Sequence, residues 1–243
     1  MGLFGRHSRI RLVSLAIWAC EYIFFYPNLR KTLVKLTAPG PQSVIFDVGG
    51  NRGQSVKFFR KLFKEIKIYS FEPSPGIFQN LKALPIDNFH PLNLGISSKN
   101  GEKQFYESLL DEASTFELPN PDSKWHKTKS RVLGVARNEM YSEIIVKIKT
   151  LDTIVYENQV KNIFLLKIDV EGHEFAVLSG AQESFAKRII ENIQIERHLD
   201  DLRVSNEIEI QSLLFRNGFV KIRSIRHSIG NFYEDIYSLT ATI

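Results

Sequence analysis

Val44-Ile45-Phe46-Asp47-Val48-Gly49-Gly50-Asn51-Arg52-Gly53 is the stretch on which the fold turns. Its first five residues are apolar apart from one aspartate, a run suited to a strand covered on both faces. The strand leads into a glycine-rich turn. Ser55–Phe63 then carries Val56, Phe59, Leu62 and Phe63 at helical spacing. A second strand, Ile66–Phe71, closes on Glu72-Pro73. Two strands that end in acidic residues around a glycine turn are how an open α/β sheet builds a nucleoside pocket at its carboxyl edge.

The rest of the chain continues the alternation. Ser74-Pro75 supplies an N-cap and a first-turn proline, which predicts a helix to about Leu84. Phe89–Ile96 reads as a third strand and Lys103–Glu107 as a short antiparallel addition. Residues 108–140 hold Pro119, Pro121 and scattered charge without a period, as expected of an insertion on the substrate side. Strands follow at Glu143–Leu151, Asn162–Ile168 and Ile189–Glu196, with a helix from Glu174 ending at Gly180 or Lys187. A helix at Glu207–Arg216 is closed by Asn217-Gly218, and Phe219–Ile225 and Ile236–Thr242 can pair as terminal strands. The fold class is therefore α/β, a doubly wound and mainly parallel sheet with an antiparallel end.

Which nucleoside the pocket takes depends on the turn. A dinucleotide turn sets three glycines at G-x-G-x-x-G spacing so that a helix amino end can approach a pyrophosphate. Asn51 and Gln54 stand where that spacing needs glycine. Asp47, just before the turn, repels a pyrophosphate but suits a ligand with a cationic end, such as the ammonium and sulfonium of S-adenosylmethionine. Glu72, at the end of the second strand, can accept hydrogen bonds from both ribose hydroxyls. Asp47, Gly49, Asn51, Gly53 and Glu72 are the candidate cofactor-binding residues. An NAD-linked oxidoreductase is the rival that the spacing and Asp47 argue against.

Leu165-Leu166-Lys167-Ile168-Asp169-Val170-Glu171-Gly172-His173-Glu174 is the second informative stretch. Its charges belong at the carboxyl end of a strand, facing the ligand crevice. Asp169 is suited to bind the cofactor's amino group, to orient a substrate or to ligate a metal. His173 has the titration range of a general base. Glu174 is suited equally to capping the helix that follows. Glu196-Arg197-His198 closes the next strand, beside Asp169. Asp169, Glu196 and His198 form the candidate set for a divalent cation, and a metal-free base drawn from Asp169, His173, Glu196 and His198 is the alternative.

Composition is that of a globular protein: 43% hydrophobic and 24% charged residues over 243 positions, enough for one domain with a sizeable core. The net charge of +5 inclines weakly toward anionic partners. The single cysteine, Cys20, leaves no internal disulfide and no cysteine metal cluster, in keeping with a reducing, cytoplasmic location. Arg6, His7, Arg9 and Arg11 precede an apolar run from Leu12 to Tyr26 that Glu21 interrupts. That run is shorter than the ~20 residues of a membrane span. Residues 10–36 read as one or two amphipathic helices packed on the domain, with a helix resting on the inner face of a membrane as the rival. Pro39-Gly40-Pro41 separates this arm, residues 1–40, from an α/β domain over 41–243.

Taken together, Asp47-Val48-Gly49-Gly50-Asn51-Arg52-Gly53, Phe71-Glu72-Pro73, Thr150-Leu151-Asp152, Lys167 to Glu174, Leu178-Ser179-Gly180-Ala181 and Ile195-Glu196 resemble the FkbM-type family of class I S-adenosylmethionine-dependent methyltransferases. The resemblance covers roughly residues 42–200. It implies a seven-stranded methyltransferase sheet and methyl transfer to an oxygen, often a hydroxyl on a sugar, glycan or natural product. It further implies that Gly49, Asn51 and Gly53 form the cofactor turn, that Glu72 holds the ribose and that Asp169 faces the methionyl end. Gly50 stands where members of the family often carry alanine. Residues 1–40 and 108–140 lie outside its motifs. The expected partner is thus a small-molecule or glycan acceptor. Nucleic acid is disfavoured, because no Asn-Pro-Pro-Tyr-type motif follows the fourth strand. A non-catalytic or membrane-docked binding protein that keeps the fold is the rival from another class.

Overall fold

The apolar run around Asp47 is a buried strand: β1 (Ser43–Val48) has no exposed residue. A computed structural model describes residues 23, 25–109, 113–117, 120, 127–128, 130–131, 134, 136, 139–198, 206–227 and 232–240, the side chain of His198 excepted. Along the chain, α1 (Tyr26–Leu33) precedes β1; α2 (Gln54–Leu62), β2 (Lys67–Phe71), α3 (Pro75–Lys82), β3 (Phe89–Leu92), β4 (Gly95–Ile96), β5 (Gly101–Ser108) and β6 (Tyr141–Lys149) follow. Then come α4 (Leu151–Glu157), β7 (Asn162–Ile168), α5 (Glu174–Ser179), α6 (Gln182–Ala186), β8 (Ile190–His198), α7 (Glu207–Arg216), β9 (Phe219–Arg226) and β10 (Phe232–Leu239).

Seven strands form one sheet in the order β3-β2-β1-β7-β8-β10-β9. The first five run parallel, and β10 is antiparallel to both β8 and β9. The strand order reverses between β1 and β7, so a ligand crevice opens at their carboxyl ends. Because successive side chains alternate across a sheet, each face has its own core. Phe46, Val48, Leu166, Ile168, Ile193 and Ile195 pack with Leu151 and Ile154 of α4 and Val177 and Leu178 of α5. Ile45, Leu165, Ile225 and Ile236 point the other way, onto Leu29 and Leu33 of α1 and Val56 and Phe59 of α2. The apolar face of α1 is therefore spent on the core. The rest of the arm's expected helix, before residue 23, lies outside the described residues, and no helix among those described is long and apolar enough to cross a membrane.

Two expectations change and one alternative is decided. Phe89–Ile96 is not one strand. Asn93 turns the chain by donating its side-chain amide to the Glu72 and Pro73 carbonyls at 2.9 and 3.1 Å, and β4 joins a second, three-stranded sheet, β4-β6-β5. The helix after Glu174 ends at Gly180, the first of its two expected ends, and α6 follows as a separate helix. A Cβ at Gly180 would stand 2.2 Å from the Ser97 carbonyl oxygen, so the chain turns there at close quarters. Thr150-Leu151-Asp152 opens a helix that the strand reading passed over: Thr150 caps α4 through Thr153 N–H at 3.0 Å. Asp152 caps α6, accepting from the backbone of Glu183 and Ser184 at 2.9 Å each. That motif is structural, a pair of helix caps.

Candidate active site

The turn after β1 is clamped by its two neighbour strands. Gly49 N–H and Gly50 N–H both donate to the Phe71 carbonyl at the end of β2, at 3.1 and 2.9 Å, and Asp169 N–H donates to the Val48 carbonyl at 3.0 Å. Gly49 has a φ of +87°, and a Cβ there would lie 1.8 Å from the Asp169 carbonyl oxygen. Only glycine combines that backbone with that approach. Asn51 also takes a left-handed conformation, φ +46°, which asparagine tolerates better than most residues. Its N–H thereby reaches Glu72 Oε2 at 2.9 Å, while Ser74 N–H reaches Glu72 Oε1 at 2.9 Å. Two backbone donors thus fix the Glu72 carboxylate beside the turn. Gly53 caps α2, the helix that leaves it.

Asp47 lies beneath the turn rather than in its mouth. It is fully buried, and its oxygens accept from Ser55 Oγ at 2.8 Å and Ser70 Oγ at 2.6 Å and pair with Lys167 Nζ at 3.3 Å. The sequence expectation had it meeting a cationic ligand directly; its partners here are protein groups. Lys167, opposite Asp47 in the strand register, also reaches the Gly49 carbonyl at 3.1 Å and Asp169 Oδ2 at 3.2 Å. Burial alone would lower the lysine's pKa, but the Asp169, Asp47 and Glu234 carboxylates hold it above the usual lysine range. It is a fixed cation that pins the turn to β7. Asp169 itself is open to the crevice, its side chain 33% exposed.

His173 sits differently from an exposed base. It is 3% exposed, and both ring nitrogens are engaged: Nε2 lies 2.9 Å from Ser97 Oγ and Nδ1 lies 2.6 Å from Glu117 Oε1. Burial lowers its pKa, opposed by the Glu117 hydrogen bond. The neutral ring then donates from Nδ1 to the carboxylate and accepts the serine hydroxyl at Nε2. The Glu117 carboxyl is held below its usual range by the same bond. Thr115 Oγ1 also donates to the Glu171 carbonyl at 2.7 Å. Residues 115–117, part of the stretch read as an insertion, are thus tied to the turn after β7. That turn carries backbone strain at Glu171, φ +57°. Glu174 Oε1 accepts from Gly172 N–H at 2.9 Å, which closes the turn ahead of α5.

Glu196 lies on the same sheet face as Asp47 and Lys167, two residues past Gln194, the partner of Lys167. His198 ends β8 opposite Phe232, and its side chain is outside the described residues. The described side chains with metal-ligand chemistry that stand together are Glu196, His227 and Glu234, each offering an atom within 4.8 Å of the others. Sequence reading missed Glu234, His227, Glu117 and Ser97. None stands in a motif, and each reaches the site by strand pairing or by a loop returning from far along the chain.

A family model described as the methyltransferase FkbM domain matches residues 47–221. The chain is 27% identical over 150 residues to the 2-O-methyltransferase NoeI of Sinorhizobium fredii, covering 60% of each chain. It is 26% identical over 201 residues to the 31-O-demethyl-FK506 methyltransferase FkbM of Streptomyces tacrolimicus, covering 75% of this chain and 74% of that one. The match to NoeI therefore spans less than two thirds of that relative's length. The crystal structure of methyltransferase FkbM from Methylobacillus flagellatus superimposes with a TM-score of 0.54 at 13% identity, covering 84% of this chain and 45% of that one; it shares the fold.

Proposed function

Because the chain belongs to the FkbM methyltransferase domain family, we propose that it is an S-adenosylmethionine-dependent O-methyltransferase acting on a hydroxyl of a sugar, glycan or natural product. The observation that carries the proposal is the clamped turn of Gly49 to Gly53, with Glu72 on one side of it and Asp169 on the other. The donor set fits the cofactor. A carboxylate oriented by two backbone N–H groups suits a ribose diol, and an exposed carboxylate across the turn suits an ammonium. Asp169, across the turn, repels a pyrophosphate, which speaks against a dinucleotide. The O-methyltransferase names of the two curated relatives support the choice of oxygen as acceptor.

When bound, S-adenosylmethionine supplies a methyl group made electrophilic by its sulfonium. The chain supplies position and a proton acceptor. Glu72 holds the ribose, and Asn51 and Gly53 shape the turn against it. Asp47 and Lys167 keep the turn rigid from below. Holding two reactants in line is worth about 7–11 kcal/mol of barrier, so this rigidity is the larger part of the chemistry. The acceptor hydroxyl lies at the carboxyl ends of β7 and β8. A carboxylate of this strand-end group, Asp169 or its neighbour Glu196, takes its proton; a carboxylate suffices because an oxygen gaining a methyl group becomes strongly acidic. His173 acts as a positioning residue through Glu117 and Ser97, holding residues 115–117 over the turn.

Calorimetric titration with S-adenosylmethionine, S-adenosylhomocysteine and NAD tests the reading. Micromolar binding of the first two and none of NAD is expected. Glu72→Ala should weaken that binding about 10- to 100-fold, a loss of about 1.4–2.8 kcal/mol. Asp169→Ala should abolish turnover. Unchanged cofactor affinity in Glu72→Ala would overturn the assignment of the pocket.

A further inference from the structure

Beside the methyl-transfer crevice is a cluster that shares Glu196 with it and adds two residues that the proposed reaction does not use, His227 and Glu234. Glu196 of β8 and Glu234 of β10 stand directly opposite each other in the antiparallel register. His227 follows β9, and its N–H closes onto the Phe232 carbonyl at 3.2 Å. The three are 9%, 3% and 6% exposed respectively. Like charges directly opposite in a sheet destabilise it, and buried carboxylates need a counter-charge. Lys167 is shared among Asp169, Asp47 and Glu234, so one ammonium answers three carboxylates. Glu234 Oε2 is buried and finds no hydrogen-bond partner among the described residues.

Spacing decides what fills the gap. His227 Nε2 stands 3.8 Å from Glu234 Oε1, too far for a hydrogen bond. One ligand atom from each of the three residues lies within 4.8 Å of the others. Two ligands bound to one ion at about 2.0–2.2 Å stand roughly 3–4 Å apart; the His227–Glu234 pair is already at 3.8 Å, and small side-chain rotations bring the third within that range. Phe25 stacks on the His227 ring at 4.0 Å and Phe232 tilts against it at 4.3 Å, so the imidazole is held in place. We propose that Glu196, His227 and Glu234 bind one divalent transition-metal cation, Zn²⁺ or Mn²⁺. Two carboxylates neutralise its charge. The imidazole selects it over Mg²⁺ and Ca²⁺, which prefer oxygen throughout. Ligands from β8, β10 and the turn after β9 converge on it, so the ion fastens the antiparallel end of the sheet beside Asp169. The site does not depend on the methyltransferase reading.

The test uses the full chain, stripped with a chelator and titrated calorimetrically with MnCl₂, ZnCl₂ and MgCl₂, with thermal melts of the same samples. One equivalent of Mn²⁺ or Zn²⁺ should bind, Mg²⁺ should bind far more weakly, and the melting midpoint should rise. Glu234→Gln, Glu196→Gln and His227→Gln should each weaken binding at least about tenfold and remove the thermal shift, whereas the surface variant Glu183→Gln should change neither. Retained S-adenosylhomocysteine binding in each variant shows that it is folded, and keeps a failed cation site distinct from a failed cofactor pocket. Absence of binding at millimolar metal, or binding that all three variants leave unchanged, overturns the proposal. A Glu234→Gln chain that melts higher, with no metal bound by the wild type, also overturns it, because the two carboxyl groups then share a proton instead.

Discussion

Single residues at this site are defined by which of their atoms are already engaged. His173 is the clearest case, since a histidine after a strand end reads as a base until both its nitrogens are found occupied. Its folded pKa lies below the ordinary value of 6.5, so the unfolded chain takes up the proton first as pH falls. The stability His173 contributes is then full above pH ~6.5 and declines as pH drops from there toward the folded value. Urea melts at pH 7.5 and 5.5 should show the wild type losing stability relative to His173→Asn at the lower pH. At pH 7.5 the variant should be destabilised by about 1–3 kcal/mol, the cost of leaving buried partners unmet. A pH-independent difference would mean that folding leaves the pKa of the ring unchanged. Lys167 is the other case. Lys167→Met strands buried carboxylates and should cost about 3–5 kcal/mol in the same assay.

Elements matter here through their ends. The turn between β1 and α2 holds its shape because Gly49 takes a φ of +87° against the Asp169 carbonyl. Gly49→Ala should therefore destabilise the chain measurably and also weaken S-adenosylhomocysteine binding, since β1 and β7 cannot part without moving Glu72 and Asp169 relative to each other. Calorimetry beside a urea melt checks both effects; lost stability with unchanged affinity would mean that the turn does not form the pocket. The alternating strands, the Ser74 cap and the apolar face of α2 were legible in the sequence, because caps and periodicity act over a few residues. The break between β3 and β4 was not. It depends on Asn93 reaching the Glu72 and Pro73 carbonyls, about twenty residues back along the chain.

Across the whole molecule, one face of the sheet is covered by α1 together with α2. Leu29 and Leu33 of α1 are buried among Ile45, Val56, Phe59, Ile225 and Ile236. Leu29→Ala should cost about 2–5 kcal/mol in a denaturant melt, as core truncations do. A change near zero would mean that α1 rests on the domain without supporting it. The sequence by itself determined the doubly wound α/β class, the glycine turn, Glu72 and Asp169 at strand ends, and the family. All of these follow from local alternation and short motifs, whose physics is confined to neighbours along the chain. Only the tertiary structure decided that Asp47 is a buried support, that His173 is held from both sides, and that Glu196 faces Glu234 and His227. Those outcomes depend on register and on loops returning from distant positions, and the free energy that selects them is a property of the packed sheet rather than of any one segment.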